Sequence, residues 1–150
     1  MIVLPAIDIQ GGHAVRLRQG VESDSTKYFD DPVEAALQWA EGGAQILHVV
    51  DLDGAFTGSR CNAQVIGKIC DAVDIPVEVG GGIRSEEAIT AYLDQGVARV
   101  IIGSKAAEDE AFIREMAKKY GSELVVSIDA KGDTVTTKGW VAGSDKKVLP

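Results

Sequence analysis

The feature that most constrains this chain is a strict alternation of two apolar patterns. Short β-rich runs at residues 2–7, 45–50, 76–79, 97–102 and 123–128 are separated by stretches of helical period at 32–41, 62–72, 86–95 and 109–120. Each strand run is flanked by glycine, aspartate or proline. The helical stretches carry their own punctuation. Pro32 opens the first and Gly42-Gly43 closes it, Ser85 and Gly96 bracket the third, and Gly121 ends the fourth. Strand and helix in turn, joined by connections of a few residues, specify right-handed βαβ units and a parallel sheet. The fold class is therefore α/β.

The runs at 46–50 and 100–102 are apolar on both faces, as strands covered on both sides must be. Polar groups gather instead at the strand ends: Asp8, Asp51, the glycines after Val79, Gly103-Ser104 and Asp129. Five strand ends bearing chemistry point to a (β/α)8 barrel, whose active site is built at the C-terminal rim. A barrel takes about 30 residues per unit. The 150 residues thus hold four βα units and a fifth strand, one partial barrel domain spanning 1–150. Ile7-Asp8-Ile9-Gln10-Gly11 also recurs as Ile128-Asp129-Ala130-Lys131-Gly132, so the fifth strand restarts the pattern of the first.

Composition narrows the partners. Fifteen basic against 23 acidic side chains give a net charge of −8, which opposes nucleic acid or an anionic membrane surface as ligand. No apolar run nears the roughly 20 residues of a membrane helix, and the N-terminus has no signal-peptide pattern. A cytoplasmic protein with a small-molecule partner is expected. Cys61 and Cys70, on opposite faces of one expected helix, read as reduced thiols.

Asp8 and Asp129 are the repeat-related carboxylates. On opposite strands of a closed barrel they face each other across the mouth, where an acid and base pair can move protons in both directions on one carbon skeleton. Aspartate also caps turns after strands, so each residue taken singly fits two readings; the repeated pair favours the chemical one. Gly80-Gly81-Gly82 lies between a strand and a helix capped by Ser85, and Gly103-Ser104-Lys105 repeats the design one unit later. Both suit a phosphate, because glycine lets backbone N–H groups approach an anion and a helix N-terminus adds positive potential. Neither is a dinucleotide fingerprint or P-loop. Asp51 reads as a polar contact at the mouth in register with Asp8, and Asp53 as a turn residue. A metal at this pair is disfavoured for want of a third ligand. His48, of opposite parity to Asp51, is expected to point toward the helix layer, and His13, after a hairpin turn, to be exposed. Arg16, Arg18 and Lys27 fall in a long segment expected to be irregular and lid-like, where arginines can close over an anion. Trp140 occupies the matching segment after the fifth strand, while Trp39 reads as packing on the first helix.

Leu4-Pro5-Ala6-Ile7-Asp8-Ile9 with Val15-Arg16-Leu17, His48-Val49-Val50-Asp51-Leu52-Asp53-Gly54-Ala55, Gly80-Gly81-Gly82-Ile83-Arg84, Ile102-Gly103-Ser104 and Ser127-Ile128-Asp129 with Lys138-Gly139-Trp140 form an ordered set along the chain. In this set the sequence resembles the phosphoribosylformimino-5-aminoimidazole carboxamide ribotide isomerase family of histidine biosynthesis. The resemblance implies a (β/α)8 barrel of doubled half-barrels and an Amadori rearrangement of aminoaldose to aminoketose, needing neither metal nor organic cofactor. It implies Asp8 as general base and Asp129 as general acid. Gly81, Gly82, Gly103 and Ser104 would hold one phosphate of a small phosphorylated ribotide, with Arg16, Asp51 and Trp140 as further contacts. The related cyclase subunit of imidazole glycerol phosphate synthase would show a cysteine just before the first strand-end aspartate, where this chain has Pro5-Ala6-Ile7. A dual-substrate isomerase that also takes phosphoribosylanthranilate is a further variant of the reading. Two departures stand out: Gly20-Val21-Glu22-Ser23-Asp24 lacks the aspartate and tyrosine usual after that glycine, and units six to eight are missing. The rival expectation is an inactive phosphate-binding fragment or assembly module that self-associates through the open edges of its sheet.

Overall fold

The computed structural model describes residues 1–18, 21–131, 134–137 and 142–147. Its main body is a seven-stranded sheet in the order β3-β2-β1-β4-β5-β6-β7. The five strands β1 (Ala6–Gln10), β4 (Leu47–Asp51), β5 (Val77–Gly80), β6 (Arg99–Ile102) and β7 (Leu124–Val126) run parallel. Helices α1 (Pro32–Glu41), α3 (Ala63–Ala72), α4 (Glu86–Leu93) and α6 (Glu110–Tyr120) connect them, and two short helices, α2 (Leu52–Thr57) and α5 (Ser104–Glu108), follow β4 and β6. The alternation read from the sequence is this architecture, the α/β arrangement of part of a (β/α)8 barrel.

The sheet's two faces differ sharply. Ile7, Ile9, Leu47, Val49, Val77, Val79, Val100 and Ile102 pack against Ala35, Ala36, Ile66, Ile69, Ile89 and Tyr92 of the helices in one buried core. Each such aliphatic side chain contributes on the order of 1.5–3 kcal/mol by leaving water. The alternate positions, Ala6, Asp8, His48, Val50, Glu78 and Arg99, line the other face, because successive strand residues point to opposite sides. Caps stop the helices where the sequence places them. Asp31 accepts from the Val33 N–H at 2.9 Å, Ser85 from Ala88 N–H at 3.2 Å and Asp109 from Phe112 N–H at 3.0 Å.

Several expectations need correction. The first strand begins at Ala6 and not at residue 2; Ile2 is 60% exposed and Val3 66%, since nothing covers that stretch. The segment expected to be irregular is β2 (His13–Arg18) and β3 (Val21–Phe29), an antiparallel extension of the sheet beyond β1. Ordered backbone pairing, not a free lid, therefore carries Arg16 and Lys27. Cys61 precedes α3 and is exposed, so the two cysteines do not share a helix. Trp39 is 44% exposed on α1.

After β7 the chain forms a second, three-stranded antiparallel sheet, β10-β9-β8, from β8 (Asp129–Lys131), β9 (Thr134–Thr137) and β10 (Ala142–Lys147). Here the internal repeat becomes structural. Asp8, Ile9 and Gln10 pair with Val15, Ala14 and His13, while Asp129, Ala130 and Lys131 pair with Thr136, Val135 and Thr134. All three pairs map onto one another at a single displacement, that from Asp8 to Asp129.

Candidate active site

Asp8 lies near the C-terminal end of β1 on the sheet face away from the helices, opposite Val15 of β2 and Val50 of β4. Asp8, Arg16, Tyr28, Phe29, Ala35 and Trp39 are among the residues that line a cleft of about 430 Å³, but Arg16 follows Val15, the residue opposite Asp8, so its side chain alternates to the other face of the sheet. Burial pushes the Asp8 carboxyl above its ordinary value, and the nearby His48 partly offsets this by favouring the charged form. The group is thus a carboxyl whose proton affinity is raised by burial. Lys27 instead pairs with Asp30. The side chain of Arg18 lies outside the described residues, as does Trp140.

Asp51 does not take the place expected of it. It pairs with Ile9 rather than with Asp8, and this offset of one residue turns its side chain to the helix side. There it is completely buried. One oxygen accepts from Gly54 N–H at 2.8 Å and from the Asn62 side-chain amide at 2.7 Å, the other from Asn62 N–H at 3.1 Å. Asn62 also donates to Asp53 at 2.8 Å, Asp53 accepts from Gly11 N–H at 2.7 Å, and the Asn62 side-chain oxygen Oδ1 accepts from Gly12 N–H at 3.1 Å. The carboxylate is a bolt that ties the loop after β4 to the β1–β2 turn. Its role follows from capping α2, a helix too short to announce itself in the sequence.

The expectation for His48 is reversed in the same way. Opposite parity to Asp51 is right, but Asp51 is the residue on the helix side, so His48 faces away from it with Asp8. There its Nδ1 lies 2.7 Å from Glu78 Oε1. Arg99 Nη2 lies 2.6 Å from the second oxygen of Glu78, whose side chain is only 9% exposed. Sequence reading missed Glu78 and Arg99. The available signal was a glutamate in the middle of an otherwise apolar strand, which needs partners when buried.

The glycine loops stand side by side at one end of the sheet, because Gly80 pairs with Ile101 and the two runs continue from there. Gly81 and Gly82 have φ of +107° and +70°. A Cβ at Gly81 would come 2.2 Å from the Asp51 carbonyl oxygen, and one at Gly82 2.1 Å from that of Gly54. Close packing against the β4–α2 junction therefore demands glycine here, in addition to any anion the loop admits. Gly103 and Ser104 lead into α5 on the neighbouring strand. Asp129, partly buried, opens β8 in the second sheet; between β1 and the β7 that precedes it lie β4, β5 and β6. Among the described residues no group of three or more His, Cys, Asp or Glu side chains comes together as a metal site, and no helix is long and apolar enough to cross a membrane.

Comparison with known proteins places this geometry in a family. The sequence pattern of the family described as histidine biosynthesis protein matches residues 2–150. A 1-(5-phosphoribosyl)-5-((5-phosphoribosylamino)methylideneamino) imidazole-4-carboxamide isomerase from Alkaliphilus metalliredigens is 54% identical over 149 residues, covering 99% of this chain and 63% of the relative. The isomerase of the same name from Nitratidesulfovibrio vulgaris is 50% identical over 153 residues (100% and 61%), and that from Chromohalobacter salexigens 47% over 150 residues (99% and 60%). The chain spans about three fifths of the length of these relatives. With the family pattern running from its second residue to its last, the chain belongs to the histidine biosynthesis protein family.

Proposed function

We propose that this chain carries the acid and base of an aldose–ketose isomerase that performs an Amadori rearrangement on a phosphoribosyl imidazole carboxamide ribotide. The observation that carries the reading is the repeated hairpin register, which gives Asp8 and Asp129 equivalent positions at the start of equivalent turns. The names of the relatives support an isomerase over the cyclase, and Pro5-Ala6-Ile7 before Asp8 agrees with that choice.

Asp129, as general acid, protonates the ribose ring oxygen, the C1′–O bond breaks, and the anomeric nitrogen lone pair forms the Schiff base. Asp8, as general base, then removes the C2′ proton, and the electron pair moves through C1′ to the nitrogen. The enol so formed tautomerises to the ketone. Burial suits Asp8 to the second step, since a carboxylate of raised proton affinity removes a carbon-bound proton more readily. The backbone around Gly81, Gly82, Gly103 and Ser104 holds one substrate phosphate, and Arg16 on β2 is a substrate contact by resemblance alone. Asp51 acts behind the site by fixing the loop, and Trp140 is a further substrate contact by resemblance alone.

The assay is turnover of the bisphosphorylated ribotide by the 150-residue chain. Asp8→Asn and Asp129→Asn should each lower turnover by about 100- to 10,000-fold with folding intact. Near-unchanged turnover in either variant removes that residue's role. A second reading rests on the open sheet, in which β7 has one edge without a strand partner among the described residues. A phosphate-binding module that self-associates through this edge would bind the ribotide without turning it over and scatter light as a dimer or larger.

A further inference from the structure

On the parallel strands, Asp8, His48, Glu78 and Arg99 share one face of the sheet. His48 on β4, Glu78 on β5 and Arg99 on β6 stand in one row across three strands, because His48 pairs with Glu78 and Glu78 with Arg99 in the parallel register. Asp8 on β1 lies one strand further on and two residues toward the C-terminal rim from Ala6, the residue that pairs with His48. On the antiparallel strands the same face carries Lys27, which pairs with Asp30, and His13, which bonds the Asp30 carbonyl oxygen, while Arg16 alternates to the other face.

The row is ordered by its hydrogen bonds. Glu78 is nearly buried and has one oxygen on Arg99 and the other on His48. A buried carboxylate held by a guanidinium stays ionised and accepts hydrogen bonds only. The His48 Nδ1 facing it must therefore carry the proton. In the neutral ring that leaves Nε2 as the unprotonated nitrogen. His48 in turn acts on Asp8, favouring its charged form against the burial that opposes it. Nothing in the proposed chemistry uses Glu78 or Arg99 directly, and a buried ion pair of this kind is weak evidence for a role in stability, since apolar replacements of such pairs are often neutral.

We propose that Glu78, clamped by Arg99, is a positioning residue for the proposed base Asp8, acting through His48, whose ring it holds with Nδ1–H toward itself on the strand next to Asp8 and on the same face. This rests on the reading of Asp8 as the base. The device keeps a partly buried aspartate available as a carboxylate without an arginine bonded to it, which would depress its proton affinity and spoil it as a base.

The test is nuclear magnetic resonance on the 150-residue chain, whose two histidines make assignment direct. Long-range 1H–15N correlation of the neutral ring should show His48 protonated at Nδ1, and Glu78→Gln, whose amide can donate as well as accept, should shift it toward a tautomer mixture. In the His48→Asn variant the Asp8 carboxyl 13C titration should move to higher pH by at least half a unit, because a favourable positive charge has gone. An Nε2–H tautomer in the unaltered chain overturns the proposal, and so does an Asp8 titration that ignores His48→Asn. The tautomer measurement needs no variant, so it decides even where a substitution prevents folding. None of these signals depends on turnover. Turnover surviving Asp8→Asn would remove the base while leaving the coupling in place, and a failed coupling would leave the base standing.

Discussion

The β1–β2 and β8–β9 hairpins pair their residues in the same register, yet only the first is built into the large sheet. β1 has β4 on its other side, and its turn is held from outside by Asp53 and Asn62 on the amides of Gly11 and Gly12. β8 is an edge strand that pairs with β9, and the parallel strand before it ends at Val126. The contrast teaches that register is a local property, set by alternation and turn, whereas the placement of a hairpin is set by what grips it. Asp8 is aimed because its hairpin is gripped. The two catalytic candidates are thus equivalent in pairing and unequal in support.

The largest expected effect comes from loosening the grip at its root. Gly82 seats the end of β5 against Gly54, in the same short helix as Asp53. Gly82→Ala forces a methyl group into the Gly54 carbonyl at a backbone angle that alanine resists, and should destabilise the chain by about 3 kcal/mol or more. Urea unfolding followed by circular dichroism reads this. A loss below about 1 kcal/mol would mean that the junction gives way freely and cannot be what fixes the first hairpin.

A smaller and more selective break is Asn62→Ala. It removes all three side-chain hydrogen bonds of Asn62, to Asp51, to Asp53 and from the Gly12 amide, while sparing the Asn62 backbone donor to Asp51. Leaving the buried Asp51 carboxylate short of a donor should cost about 2–3 kcal/mol. Hydrogen exchange should accelerate at Gly11 and Gly12 and stay unchanged in β9. Equal acceleration in both hairpins would erase the distinction between them.

Much of this was legible in the chain. The helix over Pro32–Glu41 has the boundaries its proline and glycines announce, and the parallel order follows from alternation alone. Asp8 and the glycine loops were found because they sit at strand ends, where chemistry collects. What escaped was the choice of face. Parity relates His48 to Asp51 but does not say which of them looks toward the helices, and the answer depends on a one-residue register with β1 that no local pattern encodes. Glu78, Arg99 and Asn62 escaped because their partners lie on other strands or loops, so each looked like an isolated polar residue. The hairpin strands β2 and β3 escaped because their polar alternation resembles a solvated loop until β1 provides an edge to pair with.

The smallest expected effect concerns the cost of aiming Asp8. Burial raises its proton affinity in the folded state above that in the unfolded chain. The folded state therefore gains most from Asp8 at pH values below the ordinary aspartate range, and the gain disappears as pH rises through the raised folded value. Asparagine has nearly the same shape and never ionises. Asp8→Asn should accordingly melt with the unaltered chain in acid and above it near neutral pH, by roughly 1–3 °C. Thermal scans across that range measure the difference. A variant that melts lower at neutral pH would show that the Asp8 carboxylate is held by favourable contacts, which would make it part of the grip instead of the group the grip exists to place.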